Sequence, residues 1–319
     1  MGKLDERNAV VTGAGRGIGR AVALLLAAEG ASVVVNDPGG NVDGTSHDNG
    51  PADQVVAAIK AAGGTAVANY DSVATAEGGE AMVRQCVDAF GRLDLLINVA
   101  GILRDRMIFN MSEEEWDAVY GVHLKGHFNT IKPASMLMRQ QRYGRIVNFS
   151  SISGLRGISG QSNYGAAKAG IAGLTRVVAR DLGRYAVTCN AIAPGALTRM
   201  IAQIPDASRQ IRAKAGIQEP ARPPEPVVPM TPEHVAPMTA WLCTDDAWNV
   251  NGKIFHVGGG NVSLAHEEHH IQSIEKDGKW TLKELAALVP NQLLAGIPNP
   301  APPPPDLDLP GRPVAKPSA

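Results

Sequence analysis

A glycine-rich turn near the amino terminus stands between a predicted strand and a predicted helix. The apolar residues 9–12 run into GAGRGIG at residues 13–19, and an apolar helical pattern follows over residues 20–29. Glycines in such a turn let the backbone approach a pyrophosphate closely, and the helix directs free N–H groups toward the phosphates. We therefore predict a dinucleotide site built by Gly13, Arg16, Gly17, Ile18 and Gly19.

Further apolar strands alternate with helical segments along most of the chain. The strands are predicted at residues 31–36, 65–69, 93–97, 145–149, 187–192 and 253–257. Near-continuous apolar strands separated by helices indicate a parallel sheet that is covered on both faces. The predicted fold is a Rossmann-type, doubly wound α/β sheet of about seven strands in three α/β/α layers. It forms a single domain over residues 1–263, followed by a C-terminal extension over residues 264–319.

Asp37 ends the second strand, about 20 residues after the glycine turn, at the position where a carboxylate accepts hydrogen bonds from ribose hydroxyls. Its charge would repel the 2′-phosphate of NADP, so we predict NAD as the cofactor. In the opposing interpretation Arg16 clamps that phosphate and Asp37 is a turn residue before Pro38.

Tyr164 and Lys168 are separated by one helical turn and share a helix face. An ammonium beside a phenol favours the phenolate, so we expect a lowered pKa for Tyr164 and a role for it as a general base. A surface tyrosine beside a solvated lysine is the alternative. By itself this spacing is a weak signal.

These features, together with NVAG at residues 98–101, Ser151 and Pro194-Gly195, resemble the short-chain dehydrogenase/reductase family over roughly residues 5–262. The resemblance implies that Asp71, Ser72 and Val73 lie near the adenine and that Thr198 orients the nicotinamide carboxamide. It also places Pro194 and Gly195 at the cofactor. Beside the cofactor ribose it places Asn98, Val99, Ala100 and Gly101. Val99 departs from the usual asparagine, which matters little if this position contributes its backbone.

The resemblance also implies catalytic roles. Tyr164 would take the hydroxyl proton of a secondary alcohol, Lys168 would lower the pKa of the tyrosine and bond the nicotinamide ribose, and Ser151 would hold the substrate oxygen. Ser150 and Ser153 are interpreted as structural. His123 stands where most members carry an asparagine that supports a proton-relay water. Histidine can also bridge water and lysine, although a buried structural histidine is the alternative.

Three runs, VNDPGG at residues 35–40, ANYDSV at 68–73 and GILRDR at 101–106, indicate a subgroup. They are similar to the (3R)-hydroxyacyl-CoA dehydrogenase domains of the multifunctional enzyme type 2 group, also called 17β-hydroxysteroid dehydrogenase type 4. We therefore expect NAD-dependent oxidation of a (3R)-hydroxyacyl-CoA, with substrate contacts from a loop at residues 198–232. Alternatives are a hydroxysteroid dehydrogenase, a 3-oxoacyl carrier-protein reductase and a non-catalytic NAD-binding sensor.

Composition limits the partners. A formal charge of −1 disfavours nucleic acid, and the apolar helix after the glycine turn is too short to cross a membrane. The absence of an amino-terminal secretory pattern predicts a cytoplasmic protein, and the family resemblance implies a homodimer or homotetramer. The sequence HEEHH at residues 266–270 matches a zinc-protease pattern but lacks its context, so we predict no metal. A short helix at 280–289 and a proline-rich segment at 298–313 complete the extension.

Overall fold

The computed structural model describes residues 2–196, 230–266 and 269–303. Its strands are β1 Asn8–Thr12, β2 Ser32–Asn36, β3 Ala66–Asn69, β4 Leu95–Asn98, β5 Gly144–Phe149, β6 Val187–Pro194, β7 Ile254–Gly258 and β8 Asn261–Leu264. The helices of the described residues are α1 Gly17–Ala28, α2 Gly50–Ala61, α3 Ala76–Phe90, α4 Glu113–Tyr120, α5 Gly126–Gln141, α6 Ile152–Arg156, α7 Ser162–Leu182, α8 Ala236–Cys243 and α9 Leu282–Leu288. Shorter 3₁₀ turns lie at Ile108–Asn110, Gly183–Tyr185, Pro232–His234 and Asp245–Ala247, and π-helical turns at Gly121–Lys125 and Val289–Leu293.

The strands form one sheet in the order β3-β2-β1-β4-β5-β6-β7-β8. β1 to β7 pair in parallel, which confirms the predicted α/β fold, and β8 pairs antiparallel with β7. This eighth strand was not predicted, because all four of its residues are exposed and it carries no buried apolar run. It spans the boundary predicted at residue 263.

Two apolar clusters sandwich the sheet. Neighbouring residues of a strand point to opposite faces, so Val11 packs with α1, α2 and α8 while Val10 packs with α3, α5 and α7. All residues of β1, β4 and β5 are buried. Burial on both faces explains why these strands are almost continuously apolar.

The order of the strands reverses between β1 and β4, which lie side by side although β2 follows β1 in the chain. In a doubly wound sheet, ligands bind in the crevice that opens at the carboxyl ends of the strands beside such a reversal. Thr12, Asn98 and Asn148 occupy equivalent positions at these ends, in the register Thr12↔Asn98 and Asn98↔Asn148. The fold therefore brings the glycine turn and the segments after β4 and β5 to one crevice.

The described residues form two compact units that divide after Ala265. The second unit contains α9, whose first turn has a capping box between Thr281 and Glu284. α9 is shorter than the predicted helix at 280–289. Residues 197–229, which include Thr198 and most of the predicted substrate loop, lie outside the described residues, as do Glu267, Glu268 and residues 304–319.

Candidate active site

A cavity of about 520 Å³ opens at the crevice, and the glycine turn forms part of its wall. Gly13 has φ +64° and Gly17 has φ +53°, conformations that favour glycine. A Cβ added to Gly13 would lie 2.8 Å from Ala100 Cα, and one added to Gly19 would run into the carbonyl of Gly13. No side chain caps the start of α1. Its free N–H groups and the close backbone packing suit a pyrophosphate.

Asp37 lies at the carboxyl end of β2 on the cavity wall. Its Oδ2 accepts a hydrogen bond from the Gly15 N–H at 2.9 Å and its Oδ1 accepts one from the Gly39 N–H at 2.7 Å. Two backbone donors fix the carboxylate, while its remaining lone pairs stay available to ribose hydroxyls. Arg16 turns to the loop after β2, where it donates to the Gly40 carbonyl at 3.4 Å and lies 3.8 Å from Asp48.

Of the three predicted adenine residues, two line the cavity and one does not. Ser72 and Val73 line the cavity. Asp71 is exposed and does not line the cavity: its Oδ2 accepts a bond from Asn69 Nδ2 at 2.7 Å, and its carbonyl accepts one from Asn36 Nδ2 at 2.8 Å.

The segment after β4 divides in the same way. Val99, Ala100 and Gly101 line the cavity, whereas Asn98 is buried behind it. The Val99 and Ala100 N–H groups donate to Thr12 Oγ1 at 3.1 and 3.2 Å. Asn98 donates to Asn148 at 3.1 Å and accepts from Thr130 at 2.8 Å. The Val99 N–H is thus used within the protein, and the expectation that this position serves the cofactor through its backbone stays a prediction.

Ser151, Tyr164 and Lys168 lie on the wall of the same cavity. Ser151 follows β5 and its Oγ accepts the Ser153 N–H at 3.1 Å, which begins α6. Lys168 is buried, its Nζ donates to the Phe149 carbonyl at 2.5 Å, and it lies 5.5 Å from the centre of the Tyr164 ring. Ser150 bonds the Lys168 carbonyl at 2.9 Å, which agrees with its interpretation as structural.

Burial is the largest influence on the pKa values of Lys168 and Tyr164. It lowers the pKa of Lys168 from 10.5 to about 7. Burial also raises the pKa of Tyr164 to about 12, with Asp105 acting in the same direction and the nearby Ser151 hydroxyl against it. The sequence-based expectation of a lowered tyrosine pKa is not met in the protein alone, because burial shields the phenol from bulk water and so disfavours the charged phenolate.

His123 lies in the π-helical turn between α4 and α5 and lines the cavity. Its ring stands edge-on to Tyr164, with centroids 5.1 Å apart. Nε2 lies 2.8 Å from the Ile102 carbonyl oxygen and 3.1 Å from the Ile102 nitrogen, so either neutral tautomer has a partner there. Burial, and then Lys168, hold the pKa of His123 well below its usual 6.5, so the ring is neutral at physiological pH.

Pro194 at the end of β6 lines the cavity as well. Gly195 follows it, and a Cβ there would lie 3.0 Å from Met230 Cε. The sequence analysis assigned no site role to several further cavity residues, among them Asn41, Val42, Gly44, Ser46, His47, Ile102, Leu103, Ile158 and Gln161. The loop from Gly39 to Gly50, after β2, is longer than a simple strand-to-helix turn, and that length was the available signal in the sequence for the first five.

A dinucleotide-binding fold with serine, tyrosine and lysine at the same cavity defines a class of pyridine-nucleotide oxidoreductases. The family described as Enoyl-(Acyl carrier protein) reductase matches residues 13–261. The chain belongs to the short-chain dehydrogenase/reductase family, whose members use NAD or NADP.

Similar proteins include three curated relatives. The chain is 46% identical over 262 residues to a putative short-chain type dehydrogenase/reductase of Mycobacterium tuberculosis, covering 82% of this chain and 85% of that protein. It is 41% identical to the hydroxyacyl-CoA dehydrogenase ChsB1 of the same organism, covering 89% and 87%. It is 43% identical to peroxisomal multifunctional enzyme type 2 of Mus musculus, covering 85% of this chain but only 34% of that longer protein. These matches confirm the resemblance inferred from the motifs.

A solved structure gives the same result. The crystal structure of a short chain dehydrogenase from Mycobacterium avium matches with a TM-score of 0.77 and 45% identity, over 92% of this chain and 96% of that one. Over the described residues, no helix is both long and apolar enough to cross a membrane.

Proposed function

We propose that the protein is an NAD-dependent dehydrogenase that oxidises a (3R)-hydroxyacyl-CoA to the 3-oxoacyl-CoA. The observation that carries this proposal is the presence of Ser151, Tyr164 and Lys168 on the same cavity wall as Gly13 and Asp37. An acid–base group and a dinucleotide cradle at one crevice are what hydride transfer from an alcohol requires. A sensor that only binds NAD would need neither a proton acceptor such as Tyr164 nor a hydroxyl such as that of Ser151 to hold a substrate oxygen.

Each residue of the site has its own role in the proposed reaction. The bound nicotinamide supplies the acceptor for the hydride. Ser151 Oγ holds the substrate oxygen, and ionised Tyr164 takes the hydroxyl proton. The ammonium of Lys168 favours the phenolate; because its pKa is about 7, a small shift in its surroundings changes its charge. Neutral His123, held by Ile102, can pass a proton through a water beside Lys168.

NAD is favoured over NADP by Asp37. Its two oxygens are fixed by the Gly15 and Gly39 N–H groups, so the carboxylate cannot swing away from a 2′-phosphate. Arg16 also contacts Gly40 and Asp48, which leaves less of its charge for a phosphate. Gly13, Gly17, Gly19, Ser72 and Val73 would hold the rest of the dinucleotide. The predicted role of Thr198 stays a prediction, as does assembly into a homodimer or homotetramer.

The acyl-CoA class of substrate is supported by the relative named as a hydroxyacyl-CoA dehydrogenase. The cavity lies beside apolar side chains that include Ile102, Leu103 and Ile158, which suit an acyl chain.

The test is to measure kcat/KM for NADH formation with (3R)-hydroxyacyl-CoA thioesters of several chain lengths, a steroid side-chain CoA, their (3S) epimers and free hydroxysteroids. We expect turnover of the (3R) thioesters. Turnover of free steroids alone would replace the proposal with steroid alcohol oxidation. Activity only with carrier-protein thioesters and NADPH would replace it with a 3-oxoacyl carrier-protein reductase.

A further inference from the structure

Residues 102–106, which follow β4, touch three parts of the site. Ile102 holds His123, as described above. Leu103 donates its N–H to the Val42 carbonyl at 2.9 Å, and Arg104 Nε donates to the Asp43 carbonyl at 2.9 Å, both in the loop after β2. The remaining contacts are with the start of α7, the helix that carries Tyr164, and with α4, where Arg104 pairs with Glu114 and Arg106 pairs with Glu115. We call residues 102–106 the connecting segment.

Three hydrogen bonds fasten the connecting segment to the start of α7. The Arg106 N–H donates to the Gly160 carbonyl at 2.8 Å. Asn163 Nδ2 donates to the Arg104 carbonyl at 3.0 Å. Gln161 Nε2 donates to Asp105 Oδ2 at 2.8 Å. The position of the Asp105 carboxylate is therefore fixed relative to the first turn of α7.

Gln161 is buried, lies three residues before Tyr164 and lines the same cavity. Its bond to Asp105 thus brings a carboxylate to the neighbourhood of the phenol. The other titratable groups facing Tyr164 from the described elements are Lys168 on α7 and His123 on the π-helical turn, and His123 is neutral. Asp105 is the acidic group of this set, and it also raises the pKa of Tyr164.

We propose that Asp105, held by Gln161 at the start of the helix that carries Tyr164, is a positioning residue that acts through Tyr164 and so sets the pH range of the reaction. This inference rests on the proposed function of Tyr164. Alcohol oxidation needs the phenolate to accept the hydroxyl proton, and reduction of the ketone needs the phenol to return it. A negative charge close to a group shielded from bulk water opposes a second negative charge. Asp105 therefore extends the pH range of reduction and moves oxidation toward higher pH.

Two variants separate charge from structure. Asp105→Asn removes the charge, and its amide oxygen can still accept the Gln161 bond, whereas Asp105→Ala removes both. Glu114→Gln is the matched control, because Glu114 is an exposed acid that lies 3.6 Å from Arg104 of the connecting segment. Its charge faces solvent and is screened.

The measurements are the pH profiles of kcat/KM for oxidation and for reduction, and a fluorine NMR titration of 3-fluorotyrosine placed at position 164. We expect Asp105→Asn to lower the ionisation midpoint of Tyr164 by about 1 pH unit, which is the order of magnitude of the pKa shift caused by one nearby charge. Asp105→Ala should lower it as well, and Glu114→Gln should leave it unchanged.

An unchanged midpoint in Asp105→Asn would overturn the proposal, and so would a change seen only in Asp105→Ala, which would make Asp105 a purely structural residue. The fluorine titration needs no turnover. If no alcohol were oxidised, the proposed function would fail while the effect of Asp105 on Tyr164 would still be measured.

Discussion

Lys168 is a buried cation whose side chain makes one hydrogen bond, to the Phe149 carbonyl, among the described contacts. Charging an amine away from water costs free energy, which explains why its pKa falls to about 7. Holding the Lys168 ammonium beside the phenol therefore lowers the free energy of unfolding of the protein.

This cost predicts a pH dependence of stability. Between about pH 7 and 10 the unfolded chain keeps the Lys168 proton that the folded protein has lost, so the free energy of unfolding rises with pH. Relative to Lys168→Met, the wild type should gain about 1.4 kcal/mol for each pH unit in this window. Urea denaturation of both proteins at several pH values measures the difference. A difference that stays constant from pH 7 to 10 would contradict the lowered pKa.

Tyr164→Phe isolates the phenolic oxygen. The ring and its packing against His123 remain, so NAD binding should be retained, while kcat should fall by a factor of about 10² to 10⁴, typical of losing a general base. Steady-state kinetics and a fluorescence titration with NAD measure the two effects. Ser153→Ala, in the neighbouring helix α6, is the control and should keep kcat. A Tyr164→Phe protein with normal turnover would exclude Tyr164 as the base.

At the scale of elements, the loop after β2 is the feature that the sequence indicated only by its length. Residues 41–47 reach the connecting segment and contribute Asn41, Val42, Gly44, Ser46 and His47 to the cavity wall. These contacts join parts of the chain about 60 residues apart, so local periodicity cannot reveal them. In contrast, the glycine turn and the tyrosine–lysine pair are local patterns, and they could be located from the sequence.

Arg104 anchors this loop, which gives a prediction at the same scale. Arg104→Ala removes the bond to the Asp43 carbonyl, worth about 1 kcal/mol, and should raise the Kd for NAD several-fold by loosening the loop. Isothermal titration calorimetry measures the Kd. The control is Arg106→Ala, whose side chain pairs with Glu115 at 2.6 Å and makes no contact with the loop among the described bonds. Equal losses in both variants would argue against a specific role for the loop.

The directions of side chains are a second feature that sequence motifs do not give. Asp71 and Asn98, expected at the cofactor by resemblance, do not line the cavity, and their side chains bond Asn69 and Asn148; their roles at the cofactor stay predictions. A motif gives the position of a residue in the chain and not the direction of its side chain. The direction of the tyrosine pKa was missed for a related reason: the helical spacing gave the neighbouring charge, but not the burial of both groups.

For the molecule as a whole, the sheet explains why so distant residues form one site. The carboxyl ends of the seven parallel strands lie at the same edge of the sheet. The reversal of strand order between β1 and β4 opens a crevice at that edge. The order of layers and the parallel strands could be predicted from apolar periodicity. The exposed edge strand β8 could not, because it has no buried face to impose a pattern.

Cofactor binding should stabilise the whole fold. A ligand at one hundred times its Kd adds about 2.7 kcal/mol to the free energy of unfolding. NAD should therefore raise the melting temperature by several degrees, and NADP at the same concentration should raise it less because its 2′-phosphate faces Asp37. Differential scanning fluorimetry measures the melting temperature with each cofactor. Asp37→Asn should reduce the difference between the shift with NAD and the shift with NADP. A larger shift with NADP in the wild type would contradict the assignment of NAD.

The connecting segment has a consequence for engineering. Its backbone is bonded on one side to the loop after β2 and on the other to the start of α7. Grafting a specificity loop from another family member would break one set of these bonds unless its partners were moved with it. A graft should therefore exchange three segments together, namely residues 37–49, 102–106 and 158–163. We expect chimeras that exchange only one of the three to lose solubility before they change substrate.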